Sequence, residues 1–237
     1  MTDNKPMSPT QKAWAEVRAL DTGAQIKLGP NTADRYLTDP KRMAFFLSRY
    51  KFAAKMLRDC ESLIDVGCGD GFGTLTFLAD TKASVILGVD FDNDLIEHGQ
   101  VIHREMQRLH PDKAKRIAFK HCDMLVDGPP GVFSGIASLD VIEHIEPARE
   151  NDFINALSSC LNHDGIAIIG TPNLEARRYA SKHSEIGHIN NYDAERLRTS
   201  LGNHFRHVFL FSMNDEVVHT GFYPMAHYLF ALCASKR

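Results

Sequence analysis

The stretch LIDVGCGDGFG, residues 63–73, constrains the fold of this chain more than any other. Residues 62–66 form a short apolar run interrupted only by Asp65, and glycines follow at 67, 69, 71 and 73. A run this short and apolar reads as a strand buried on both faces. Glycines directly behind it let the backbone turn sharply and approach a ligand, since no Cβ stands in the way. A helical face resumes with Leu75 and Leu78, so the unit reads strand, glycine turn, helix.

The alternation continues along the chain. SVILGVD (84–90) is a second buried strand, and in the segment after it Asp92 or Asn93 can cap a helix whose Leu95, Ile96, Ile102, Met106 and Leu109 face inward. IAFKHCD and GIASLDV supply strands three and four. A helix then begins near Pro147, buries Phe153, Ile154, Leu157 and Leu161, and is expected to end at Gly165 as C-cap. IAIIG is strand five. Such β-α alternation calls for a mostly parallel sheet with helices on both faces, and ligands bind at the carboxyl ends of its strands. After a helix near 193–201, HVFLFSMNDEVV and YLFALCAS follow without a long intervening helix, which predicts an antiparallel hairpin at the sheet edge. Upstream, Met43, Phe46, Leu47, Tyr50, Ala54 and Leu57 recur at helical spacing. The chain therefore divides into a mobile tail (1–12), an N-terminal helical cap or lid (13–59) and a main α/β domain (60–237). On the cap, Arg49 and Lys51 read as a solvated face.

A dinucleotide fold wants G-x-G-x-x-G, but the third glycine position is Phe72. The motif is instead an acid followed by G-x-G-x-G. Asp65 near the turn suits a ligand with an ammonium group and would repel a pyrophosphate, which favours S-adenosylmethionine over NAD. Asp90 ends strand two, where a carboxylate can accept hydrogen bonds from both ribose hydroxyls. Asp123 ends strand three, placed for an adenine amino group, with Met124 to pack on the ring.

These segments resemble the class I S-adenosylmethionine-dependent methyltransferases, in the small-molecule branch that includes the ubiquinone-biosynthesis O-methyltransferases. LIDVGCGDG resembles motif I, GVDFD the ribose-binding acidic motif, HCDM the adenine loop, ASLDVIEHI the segment after strand four and GIAIIGTPN the strand-five motif. The resemblance covers about residues 60–235. It implies a Rossmann-like seven-stranded sheet of order 3-2-1-4-5-7-6 with strand seven antiparallel. It also implies cofactor contacts from Asp65, Gly67, Gly69, Gly71, Asp90, Asp123 and Met124, with Cys68, Phe91 and Leu139 completing the candidate set.

Methyl transfer from a sulfonium is an in-line displacement with a good leaving group, so the protein chiefly holds a nucleophile in line and excludes water. A hydroxyl nucleophile also needs its proton removed or its pKa lowered by a metal. The loop after strand four offers Glu143 and His144 as candidate catalytic residues. Asp140, Glu143, His144 and the later His188 are candidate ligands for a divalent ion such as Mg2+. Some ubiquinone-type and small-RNA methyltransferases are similar in this cluster, except that the RNA enzymes have Glu where this chain has Asp140. The competing reading is that Glu143 and His144 cap the helix near Pro147. His219, Tyr223 and His227 are candidate substrate contacts, because the last connection lies beside the mouth of the site, and His188, reaching in from the region after strand five, is a fourth.

A formal net charge of -3 with no basic tract argues against a nucleic-acid partner, while the resemblance and the polar, His-rich last loop favour a small-molecule substrate. Five scattered cysteines, never in C-x-x-C, read as reduced cytoplasmic thiols. With no long apolar run and no signal-peptide h-region, no membrane association is expected. The predicted reaction is O-methylation of a small polar metabolite, sugar-type among the candidates. N-methylation or methylation of RNA or protein is the alternative within the class, and an NAD(P)-binding oxidoreductase or a silent nucleotide-binding module the alternative outside it.

Overall fold

A computed structural model describes residues 6–237. Helices α1 (Pro9–Ala19), α2 (Pro30–Thr38) and α3 (Lys41–Met56) precede the sheet. Strand and helix then alternate through β1 (Ser62–Val66), α4 (Leu75–Asp80), β2 (Val85–Asp90), α5 (Asn93–Leu109), α6 (Pro111–Ala114), β3 (Ile117–His121), β4 (Phe133–Leu139), α7 (Glu150–Cys160) and β5 (Leu161–Pro172). The chain finishes with α8 (Lys182–Gly187), α9 (Ala194–Gly202), β6 (Phe205–Asn214), β7 (Val217–His219) and β8 (Tyr228–Lys236).

The strands form one sheet of order β3-β2-β1-β4-β5-β8-β6-β7. The first five pair in parallel, and β8 inserts antiparallel between β5 and β6. This is the Rossmann-like arrangement expected, with one strand more. The run read as a single strand over 207–218 breaks at Asp215–Glu216, a two-residue turn that folds β7 back on β6 with Asn214 opposite Val217. Asp215 takes φ +50°, a left-handed conformation that Asp tolerates better than most residues.

Helices cover both faces of the sheet. One core cluster joins Tyr50 and Ala53 of α3 with Phe77 of α4 and Ile96 of α5, and the other joins Phe153 and Leu157 of α7 with Leu197 and Leu201 of α9. Asp92 caps α5 as expected, its side chain accepting from the amides of Asp94 and Leu95. Gly165 does not cap α7. That helix ends at Cys160 and the chain passes directly into β5, where the register with β4 slips between Leu161 and Ile166 and absorbs Gly165. Residues 1–5 of the expected tail lie outside the described residues, and from Pro9 the chain is helical, with Ser8 and Gln11 forming a capping box. Among the described residues, no helix is long and apolar enough to cross a membrane.

The cap helix α3 is fastened to the glycine turn. Phe46 stacks on Phe72 at 6.5 Å, Tyr50 meets Phe77 edge-on at 5.7 Å, and a Cβ added to Gly73 would lie 2.3 Å from the Tyr50 ring. Gly73→Ala therefore has no room while Tyr50 is in place. Overpacking of this kind costs about 1–3 kcal/mol, so the melting temperature is expected to fall by several degrees. An unchanged melting curve would mean that α3 is not clamped to the turn.

Candidate active site

Behind β1 the backbone turns through Gly67, Gly69 and Gly71 at φ +78°, +57° and +76°. The amides of Gly67 and Cys68 donate to Val89 O at 2.8 and 3.0 Å, and that of Gly69 donates to Asp90 Oδ2 at 2.8 Å. The turn is thus tied to the end of β2. Neighbours press on two of its glycines, since a Cβ would meet Val141 at Gly67 and Phe119 at Gly71. At Gly69 the position of a Cβ has no atom within 4 Å, so the backbone there borders open space.

Asp65 is 1% exposed. Its Oδ2 accepts a 2.6 Å hydrogen bond from the Thr74 hydroxyl, while Oδ1 is buried with no partner. Burial raises its pKa to about 7, against the lowering effect of its hydrogen bonds. Asp90 accepts from the amides of Gly69 and Asp92, one on each oxygen, and each oxygen keeps a lone pair. An orphaned carboxylate oxygen, an open glycine backbone and a strand-end acid fit a ligand with an ammonium group at one end and a diol further along.

Phe91 follows Asp90 and is 72% exposed. Asp123 lies two residues past β3 rather than on its end, and its Oδ1 accepts from the Leu125 amide. Of the other predicted contacts, Cys68 and Leu139 are buried in one core cluster and Met124 in the other. Met124 in particular is buried rather than held ready for a ring, because the turn that begins at Asp123 directs it into the cluster around Phe133.

The end of β4 brings the second group together. Ile142–His144 form a single 3-10 turn. Glu143 is 1% exposed, its Oε2 accepting from Thr171 at 3.0 Å and its Oε1 buried without a partner. Burial and the nearby Asp140 push its pKa upward. Glu143 is therefore no helix cap. His144 is exposed, and its Nδ1 lies 2.8 Å from Gly187 O. A carbonyl can only accept, so Nδ1 carries the proton and Nε2 keeps a free lone pair. His188 stands beside it, ring centroids 5.0 Å apart, and burial and the neighbouring His144 lower its pKa. Glu143, His144 and His188 each offer a donor atom, all within 4.8 Å of one another.

Asp140, the fourth expected ligand, is outside this trio. Its backbone takes φ +59°, and its carboxylate accepts twice from Arg49 Nη1 of α3, at 2.7 and 2.8 Å. Arg49 in turn lies over the Tyr228 ring at 3.9 Å. The guanidinium neutralises Asp140 from the cap side and so takes it from the metal set.

The family described as "Methyltransferase domain" matches residues 36–211. The chain belongs to that family. It is an S-adenosylmethionine-dependent methyltransferase. The match begins inside the cap, at Tyr36. Solved structures agree on the fold. The methyltransferase domain of bacterial CtHen1-C has a TM-score of 0.65 at 19% identity, with 79% of this chain and 97% of that one covered. The N-methyltransferase NodS from Bradyrhizobium japonicum, in complex with S-adenosyl-L-homocysteine, gives 0.59 at 17%, covering 85% and 90%. The small RNA methyltransferase HEN1 gives 0.63 at 21%, covering 80% of this chain and 25% of that one. No curated protein matches by sequence.

The remaining predicted residues of the methyltransferase separate. His227 lines a cavity of about 60 Å³ together with Phe45, Arg49, Met213, Asp215 and Tyr228, at the edge where β8 begins. His219 is held by Asn214 within the β6–β7 hairpin at 2.9 Å, and Tyr223 packs against the core. His188 belongs with His144 rather than with this group. Arg49 is what sequence reasoning missed. Its signal is its spacing one turn from the half-buried Phe45 and beside the buried Tyr50, which a polar-face reading overrides. A larger cavity of about 470 Å³, along α5 at Arg104 and Arg108, shares no residue with the site.

Proposed function

We propose that the methyltransferase acts on a hydroxyl oxygen of a small polar metabolite, sugar-type compounds among them. The observation that carries this reading is the Glu143–His144–His188 trio, brought together by the turn after β4 and the end of α8, with Val141 of the same turn packed on Gly67. A hydroxyl is the acceptor that most needs such a group, because its proton is far less acidic than that of a thiol or an ammonium and must leave as the oxygen attacks.

The cofactor supplies an electrophilic methyl and a neutral thioether leaving group. Asp65 Oδ1 would receive the ammonium at its methionine end, Asp90 the ribose hydroxyls, and Phe91 and Asp123 would border the adenine. On the acceptor side, His144 Nε2 has the lone pair to take the hydroxyl proton. Glu143, His144 and His188 would equally hold a divalent ion, whose charge lowers the pKa of a bound hydroxyl. Ligands of one ion stand about 3–4.4 Å apart, so the trio needs only slight tightening. Two imidazoles beside one carboxylate suit a first-row transition ion better than Mg2+, and Mn2+, the first-row ion nearest Mg2+ in its taste for carboxylate, serves as the probe. Arg49, Asp215 and His227 give the small cavity at the start of β8 charged and hydrogen-bonding groups that a polar acceptor could use, beside Phe45, Met213 and Tyr228.

The test is a screen of hydroxylated metabolites, amines and RNA with labelled cofactor, run with and without a chelator. Methylation of a hydroxyl compound, lost on chelation and restored by Mn2+, is expected. Turnover confined to amines or RNA would overturn the acceptor class, and turnover indifferent to chelator would leave His144 as a base alone.

A further inference from the structure

Residues 174–191 leave the sheet at the end of β5 and return at Tyr192, where a bridge with Asn173 readmits the chain. His188 lies on this excursion, 44 positions along the chain from His144, and no strand carries it. A polar cluster with Asn190 and Tyr192 buried and Glu150 and Arg196 half-buried fixes it instead. Glu150, at the start of α7, accepts on Oε2 from Arg196 (2.6 Å), Tyr192 (2.7 Å) and Asn190 (2.9 Å), and on Oε1 from Ser200 (2.6 Å). Arg196 also donates to Asn190 Oδ1 and to Asn191 O, and lies over the Tyr192 ring at 4.4 Å.

The far side of this cluster touches the trio at two points, and His144 adds a third tie to the same segment. The Asn190 amide donates to Glu143 O at 3.0 Å, Asn191 Nδ2 donates to His188 O at 3.1 Å, and His144 Nδ1 donates to Gly187 O at 2.8 Å. Asn190 is 1% exposed, and both ends of its side-chain amide are used within the cluster. A loop segment alone loses such an alignment to conformational entropy. A carboxylate with four donors, one of them a guanidinium, is strong enough to hold it.

We infer that Glu150, with Arg196 and Asn190, is a positioning clasp that sets His188 against Glu143 and His144 and so completes the acceptor side of the site. This rests on the trio being the ion-binding site proposed above. None of the three clasp side chains needs to touch substrate or cofactor, so they act only through His188 and the Glu143 backbone.

The experiment uses Glu150→Gln and Asn190→Ala in the full chain, with Ile154→Val on the same helix as a control that loosens packing without touching the clasp. Mn2+ affinity is measured by calorimetry, S-adenosylhomocysteine affinity alongside it, and the nuclear Overhauser contact between the His144 and His188 rings in metal-free protein. Both clasp variants are expected to weaken Mn2+ by about 10–100-fold, to keep S-adenosylhomocysteine affinity within about twofold, and to lose the ring contact. The control should change none of the three. Clasp variants that keep the ring contact overturn the proposal, whatever happens to Mn2+. Variants that lose the contact and bind Mn2+ like the unaltered protein overturn it too. If the unaltered protein binds no Mn2+, the ion-site reading fails by itself, and loss of the ring contact in both variants but not in the control still supports the clasp.

Discussion

Replacing His144 by alanine is expected to lower turnover by about 10²–10⁴-fold, the range for removing a positioned proton acceptor, while S-adenosylhomocysteine affinity changes by less than about twofold. The separation follows from geometry. His144 stands on the turn after β4, exposed, and its polar contacts run to Gly187 and His188 rather than to the glycine turn. As a base its Nε2 takes the acceptor proton, and as a ligand the same lone pair would hold the ion, so one substitution removes either role. Alanine removes that lone pair together with the hydrogen bond that holds the Gly187–His188 segment. Kinetics with saturating acceptor and a parallel titration of S-adenosylhomocysteine check both halves. Near-normal turnover would end the base and ion roles for His144 together. Loss of both turnover and cofactor binding would mean that the turn after β4 supports the cleft, and that the substitution says nothing specific about proton transfer.

The β-α framework was legible because each buried strand is a short apolar run and each helix repeats at its own period, signals that survive without tertiary information. The glycine turn was legible for the same local reason: only glycine reaches φ +57° to +78° at three alternate positions without strain. Asp65, Asp90 and Asp123 follow from their places at or just beyond strand ends. What was not legible depends on partners far along the chain. Asp140 has the sequence position of a ligand, yet Arg49, 91 positions earlier, claims it. Glu143 could not be told from a helix cap until Thr171 was seen to bind it. Met124 and Phe91 look alike as apolar residues after strand-end acids, and only packing buries the first and exposes the second. The short β7 was hidden because Asn214, Asp215 and Glu216 are brief punctuation inside a run whose hydrophobic pattern otherwise continues.

Cofactor binding is expected to weaken as pH falls from 8 to 6, and Asp65 sets both the direction and the size. With its pKa raised to about 7 by burial, Asp65 in the free protein is about nine-tenths ionised at pH 8 and about one-tenth at pH 6. Only the ionised form offers an ammonium group a charge partner at the orphaned Oδ1, so S-adenosylhomocysteine affinity should fall by roughly tenfold over that interval. Stability of the ligand-free protein runs the opposite way. A carboxyl whose folded pKa lies above its unfolded value of about 4 holds its proton more tightly when folded, so its contribution is fully present below pH 4 and is lost as pH rises through 7. Asp65→Asn keeps an oxygen for the Thr74 hydroxyl and removes the charge. It should therefore lose the pH dependence of binding along with most of the affinity, and above pH 7 it should relieve a burial cost on the order of a few kcal/mol. The ligand-free variant is expected to melt higher than the unaltered protein at pH 8, with the difference shrinking toward pH 5. Melting curves at the two pH values and titrations at pH 6 and 8 read both effects. Affinity that is flat with pH would show that Asp65 stays ionised and that its partner is already inside the protein, leaving the ammonium to be held by something other than this carboxylate.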